Sequence, residues 1–236
     1  MVWEEYEDYL VRDEEMDRLH KLAGEIGDID PPSDYARLWY NLNYHIQKDK
    51  AARHGLSQHQ MVECLIGLQK RPYYLVHLAQ QFGVKNMVEV GTAQGLQFYS
   101  FAKYLKDNDN DGHVWSCDIK DYRENEEYKH AYDNETTFHL GTSETLAAEL
   151  SSQDLQIDLF YIDADHRAGA VLQDVQNLKH LQTDQTLWVF DDFDLRFGCY
   201  QDIMELCKRN QRFKIYRVGS AASGNPNHQV IIFGKL

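Results

Sequence analysis

The sequence predicts a doubly wound α/β fold with a mostly parallel sheet, and three observations carry that expectation. From Asn86 onward, the short runs NMVEVG, HVWSCDI, IDLFYID and TLWVFDD are apolar on both faces and alternate with stretches of helical length, as a parallel sheet covered by helices requires. The first run enters a glycine turn, VEVGTAQG, that opens onto a helix, which is where open α/β sheets bind their ligands. The last two runs, RFKIYRVG and HQVIIFGK, flank a loop rich in Gly, Ser, Asn and Pro and read as an antiparallel C-terminal pair.

Residues 1–82 carry many charges at helical spacing, a break at Pro31 and Pro32, and no alternating strand pattern, so a helical N-terminal region is expected there. Its last segment, RPYYLVHLAQQFG, sets Pro72 where a first helical turn tolerates proline and Gly83 where a helix can stop. Trp39, Tyr40, Tyr44, Tyr73 and Tyr74 read either as packing residues or as a cover closing over a bound acceptor. Residues 83–236 then form the ligand-binding domain, with LQFYSFAKYL, TSETLAAEL and RAGAVLQDVQNLKHL as crossover helices.

With 236 residues, 43% of them hydrophobic and 26% charged, the chain has the size and balance of one globular α/β domain with an appendage. A formal net charge of -14, uninterrupted by any Lys/Arg stripe, repels polyanions and argues against nucleic acid as a partner. No apolar run reaches the roughly 20 residues that cross a bilayer, and the acidic N-terminus is unlike a secretory signal. No membrane partner is therefore expected, and the cytoplasm is the expected compartment. Cys64, Cys117, Cys199 and Cys207 form no C-x-x-C pair and are expected to be reduced packing thiols.

Chemistry concentrates at the ends of the apolar runs. Glu89, Gly91, Thr92 and Gly95 frame the first turn, where glycine lets backbone amides approach a ligand at a helix N-terminus; the same turn also serves plain strand-helix packing. Ala93 stands where many nucleotide-binding turns keep another glycine. Asp118 ends HVWSCDI one strand-helix-strand unit later, where a carboxylate accepts the hydroxyls of a ribose or simply meets solvent. In HLGTSETL, Gly141, Thr142 and Ser143 precede a helix, either as an N-cap or as contacts to an adenine; for Ser143 capping is the first reading, and the two roles are compatible.

Two strand ends are acidic: Asp163, Asp165 and His166 follow one, and Asp191, Asp192 and Asp194 the other. If the strands are neighbours, these carboxylates converge at one sheet edge with no Lys or Arg expected as partner. Their repulsion raises pKa values unless a hard cation binds, magnesium first and calcium or manganese as alternatives. Plain strand-end capping is the competing reading.

VEVGTAQG, CDI, GTSET, YIDADH and FDD, in that order, resemble the metal-dependent class I O-methyltransferases, including the catechol and caffeoyl-CoA enzymes. The His of DADH and the paired Asp of FDD are also similar to macrolide-sugar methyltransferases of the macrocin and mycinamicin type. The resemblance covers about residues 70–236. It implies a seven-stranded Rossmann-like sheet, S-adenosylmethionine as methyl donor, a divalent metal and a small-molecule acceptor with a hydroxyl group. It puts Glu89 and Gly91 at the methionine portion of the donor, with Thr92 and Gly95 in the same turn, Asp118 on the ribose, and Gly141 and Ser143 near the adenine. Asp163, Asp191 and Asp192 would hold the metal, and His166 would act beside Asp163 as general base.

The catechol branch has Lys where this sequence has His166 and Asn as its last metal ligand, a departure that bears on the acceptor more than on the reaction. A nicotinamide-dependent oxidoreductase could use the same turn and Asp118, but it leaves Asp163, Asp191 and Asp192 unexplained. A non-catalytic donor-binding protein is the other alternative, and a homo-oligomer is compatible with any of these.

Overall fold

The computed structural model describes residues 13–25, 31–42, 72–218 and 227–236. Helical segments α1 (Glu14–Glu25), α2 (33–42) and α3 (72–82) precede the sheet. Pro72 lies in the first described turn of α3, and Gly83 ends it in the left-handed region at φ 63°. The chain continues through β1 (Asn86–Val90), α4 (Leu96–Asp107), β2 (His113–Asp118), α5 (Glu126–Ala131), β3 (Thr136–Leu140) and α6 (Ser143–Ser151). It then forms β4 (Ile157–Ile162), α7 (Ala170–Leu178), β5 (Gln182–Phe190), α8 (Cys199–Asn210), β6 (Phe213–Val218) and β7 (Asn227–Phe233).

Among the described residues seven strands form one sheet, in the order β3-β2-β1-β4-β5-β7-β6. Only β7 runs against its neighbours, pairing antiparallel with both β5 and β6. The chain winds outward from β1 through β2 to β3, then returns to start again at β4 on the other side of β1. That reversal opens a crevice at the carboxyl ends of β1 and β4, the place where a doubly wound sheet receives ligands.

Strand alternation sends neighbouring residues into two different cores. Met87, Leu159, Tyr161, Leu187, Val189 and Ile231 pack beneath α1 to α4, where Met16, Leu19, Leu38, Trp39 and Tyr74 are buried with them. Val88, Phe160, Ile162, Trp188, Phe190 and Ile232 face α6, α7 and α8. Trp39 donates its indole N–H to the Ser100 hydroxyl on α4 at 2.6 Å, and Lys103 meets Asp34 at 2.6 Å, so α2 is docked on the sheet layer by polar as well as apolar contacts. Cys117, Cys199 and Cys207 are free and buried. Tyr44 and Cys64 lie outside the described residues. Among the described residues no helix is long and apolar enough to cross a membrane.

Candidate active site

Parallel pairing sets Val90 beside Ile162 and Ile162 beside Phe190, so the three segments after β1, β4 and β5 emerge together at one sheet edge. The closeness of the first two explains Gly91. At φ 97° it adopts a conformation that side chains disfavour, and a Cβ there would stand 2.2 Å from the carbonyl oxygen of Asp163. Ala93, at φ 46°, keeps the left-handed backbone at a position where glycine is more usual. Its N–H donates to Oδ2 of Asp118 at 2.9 Å, while Lys120 N–H donates to Oδ1 at 3.2 Å. The glycine turn and the carboxylate at the end of β2 are thus one hydrogen-bonded unit.

Glu89 lies behind this turn, 2% exposed. Ser116 donates to its Oε2 at 2.6 Å, and the Thr92 and Ser116 hydroxyls are 2.5 Å apart. Burial pushes the Glu89 carboxyl well above the usual carboxylate range; Ser116 opposes this, while the charges of Asp163 and Asp118 add to it.

A cleft of about 840 Å³ runs along the sheet edge. Of the residues to which the resemblance gives a role, Gly91, Asp118, Gly141, Ser143, Asp163 and His166 line it. Glu89, Thr92, Gly95, Asp191 and Asp192 are not part of the lining, and neither are any described residues of the N-terminal helices. The structure adds Ile119, Tyr122, Asp174 and Asn177. Ile119 is 80% exposed, an uneconomical place for an apolar side chain unless a ligand covers it, and only the position immediately after Asp118 hinted at this. Asp174 and Asn177 sit on α7, where the sequence reads as an ordinary polar helix face.

The N-cap of α6 is Thr142, not Ser143 as expected. Thr142 retains extended backbone and forms a reciprocal capping box with Thr145, whereas Ser143 is already the first helical residue. Its hydroxyl is drawn across to α7 instead, donating to Oδ1 of Asp174 at 2.6 Å and accepting from Nδ2 of Asn177 at 2.9 Å.

At the other end of the cleft, His166 Nε2 stands 2.9 Å from Oδ2 of Asp192 and 3.7 Å from Oδ1 of Asp163. Asp163, His166 and Asp192 offer ligand atoms that all lie within 4.8 Å of one another. The neighbouring carboxylates, Asp163 first and then Asp192 and Asp165, hold the imidazole pKa above its ordinary value against partial burial. Phe197 packs against the ring with centroids 4.8 Å apart.

The expectation that these acids lack arginine partners is corrected for two of them. Arg167 Nε donates to Oδ2 of Asp165 at 2.8 Å and Arg196 Nε to Oδ1 of Asp194 at 2.9 Å, and each arginine holds its acid below the usual carboxylate range. Asp191 is turned away from His166: Tyr161 donates its hydroxyl to Oδ2 at 2.9 Å and Gln229 its Nε2 to Oδ1 at 3.2 Å. The left-handed backbone of Asp192, at φ 51°, marks the point where the doublet divides, one side chain to the sheet interior and the next to His166.

Residues 88–193 match the profile of a family described as "Methyltransferase domain". No curated protein sequence matches the chain. Among solved structures, the chain is similar to an O-methyltransferase from Bacillus cereus in complex with S-adenosylhomocysteine, with a TM-score of 0.61 and 16% identity over 91% of this chain and 97% of that one. It is also similar to an O-methyltransferase from Streptomyces achromogenes involved in tomaymycin synthesis, in complex with S-adenosylmethionine, with a TM-score of 0.61 and 11% identity over 87% of this chain and 92% of that one. At such identities the likeness is one of fold. The matched segment spans the glycine turn, Asp118, Asp163, His166, Asp191 and Asp192, and the sheet that holds it has the fold of these O-methyltransferases.

Proposed function

We propose that the protein transfers a methyl group from S-adenosylmethionine to a hydroxyl of a small molecule, with a divalent cation, magnesium first, at the acidic end of the cleft. The observation that carries this reading is the continuity of the cleft. One wall holds Gly91, Asp118, Gly141 and Ser143, while the other end holds Asp163 and His166. Asp118 is the acceptor for the ribose hydroxyls, Gly141 and Ser143 flank the adenine, and Glu89, Thr92 and Gly95 shape the turn that receives the methionine portion.

A sulfonium methyl is already activated, so this chain's task is to orient the nucleophile and remove its proton. The carboxylates of Asp163 and Asp192 are a donor pair that fits a hard cation with positions left for water or substrate, and His166 Nε2 stands beside them as a base outside the ligand set. Such an ion supplies Lewis acidity that lowers the pKa of the acceptor hydroxyl. His166 takes the proton, a contribution of about 100 to 10,000-fold for a well-placed general base. Asp191, the third carboxylate expected at the ion, stands behind Asp163 with Tyr161 between them. A nicotinamide-dependent reading would leave the acidic cluster without a task.

Calorimetry tests the reading. S-adenosylhomocysteine is expected to bind with micromolar-scale affinity and NAD not to compete. Replacing both Asp163→Ala and Asp192→Ala should abolish Mn²⁺ binding and leave S-adenosylhomocysteine binding largely intact. Tight NAD binding without any response to the adenosyl compound would overturn the proposal.

A further inference from the structure

Tyr161, Asp191, Gln229 and Tyr216 are all buried, at 3%, 3%, 0% and 5% exposure, and the methyl-transfer reading gives none of the four a direct task. They come from β4, the end of β5, β7 and β6, which are successive neighbours in the sheet. Their side chains form a hydrogen-bonded ladder across those four strands. Tyr216 donates its hydroxyl to Oε1 of Gln229, which fixes the orientation of the amide and leaves Nε2 to donate to Oδ1 of Asp191 at 3.2 Å. Tyr161 shares its one hydroxyl proton between two acceptors, Oδ2 of Asp191 at 2.9 Å and Oδ2 of Asp163 at 3.1 Å, and so bridges the two carboxylates. The far end rests on the N-terminal helical layer, where the Tyr74 ring meets Tyr216 with centroids 4.7 Å apart.

We infer that this ladder is a strut that positions Asp163, and that Asp191 acts through Tyr161 as a positioning residue, not as a cation ligand. The division of labour at Asp163 supports this. Its Oδ2 faces the Tyr161 hydroxyl, while its Oδ1 faces His166 across the cluster. Swinging Asp191 toward His166 would break its bonds from both Tyr161 and Gln229 and take from the buried Gln229 amide the acceptor that Tyr216 orients it toward, a costly loss inside the core. Fixing one oxygen of a carboxylate leaves the other aimed, the role that hydrogen-bond partners behind a metal ligand commonly have.

The inference rests on the cation reading proposed above, and Mn²⁺ titration of the full chain separates the two. Tyr161→Phe removes the one hydroxyl that bridges Asp163 and Asp191 and is expected to weaken Mn²⁺ binding by about 10 to 100-fold, with S-adenosylhomocysteine affinity unchanged. Asp191→Asn keeps an acceptor for Tyr161 and gives up a charge, so it should hold Mn²⁺ within about tenfold of wild type, while Asp192→Ala, which removes the ligand oxygens altogether, abolishes binding. A general loosening of the fold would weaken both ligands together and overturn the positioning role. Tyr161→Phe equal to wild type, or Asp191→Asn as damaging as Asp192→Ala, would overturn the strut alone. A wild type that binds S-adenosylhomocysteine but no Mn²⁺ would overturn the cation reading, and the strut with it.

Discussion

Glu89 shows how burying a single carboxyl group can cost stability. Its carboxyl is buried behind the glycine turn with hydroxyls for neighbours, and burial raises its pKa well above the ordinary 4.5. Below that value folded and unfolded chains are both protonated there. As pH rises past it, the unfolded chain releases the proton first, so this group lowers stability progressively until the raised folded pKa is passed. Glu89→Gln, which keeps an acceptor for Ser116, should therefore raise the unfolding midpoint at neutral pH and flatten its decline above pH 4.5. Each kcal/mol recovered corresponds to about 2–4 °C. Thermal melts of both proteins from pH 4.5 to 8 check this, and parallel pH profiles would rule it out. Residues of this kind were legible in the sequence where backbone and side-chain chemistry agree, as at Gly91 and Asp118. They were not where one residue of offset decides: Thr142 caps α6 because Ser143 is already helical, and the Asp191-Asp192 doublet divides at a backbone dihedral that no residue pattern discloses.

At the scale of elements, the site depends on how closely two strand ends approach. β1 and β4 run in register as far as Val90 and Ile162, and Gly91 then passes so near Asp163 that a methyl group has no room. Gly91→Ala must push the ends apart at a left-handed position, which is expected to cost about 2–5 kcal/mol from overpacking and strain together. Since Asp163 would move with the strand end, Mn²⁺ affinity should fall as well. Urea denaturation and Mn²⁺ titration of the variant check the two effects, and an unchanged midpoint would refute the steric account. The central strands were legible because they are apolar on both faces, and the C-terminal pair because a loop-forming segment separates its strands. β3 was not, since TTFHL sits at the edge of the sheet without one fully buried residue. α8 was obscured in another way: its buried face includes Asp202, whose carboxylate accepts the Gly169 N–H at 2.8 and 3.0 Å, so a polar residue interrupts the apolar stripe.

For the molecule as a whole, the division suggested by the sequence, helices to residue 82 and the sheet domain after it, meets a core that ignores it. Met16, Leu38, Trp39 and Tyr74 share one buried cluster with the strands β1, β4, β5 and β7. Trp39 is 2% exposed and anchors α2 to α4 through Ser100. Segments that share a core unfold together, so the described helices and the sheet should melt in one cooperative transition, with tryptophan fluorescence and far-ultraviolet circular dichroism giving the same midpoint. Trp39→Ala removes a large buried ring and should cost about 3–5 kcal/mol, lowering that common midpoint by on the order of 10 °C. Trp39→Phe keeps most of the ring and loses the indole N–H, and Ser100 still has the Leu96 carbonyl to donate to, so the drop should be smaller. In both variants the transition should remain single. If the helices instead melted first, with S-adenosylhomocysteine still bound to the remaining sheet, the shared core would not be the coupling described here, and the N-terminal layer would behave as a separable domain.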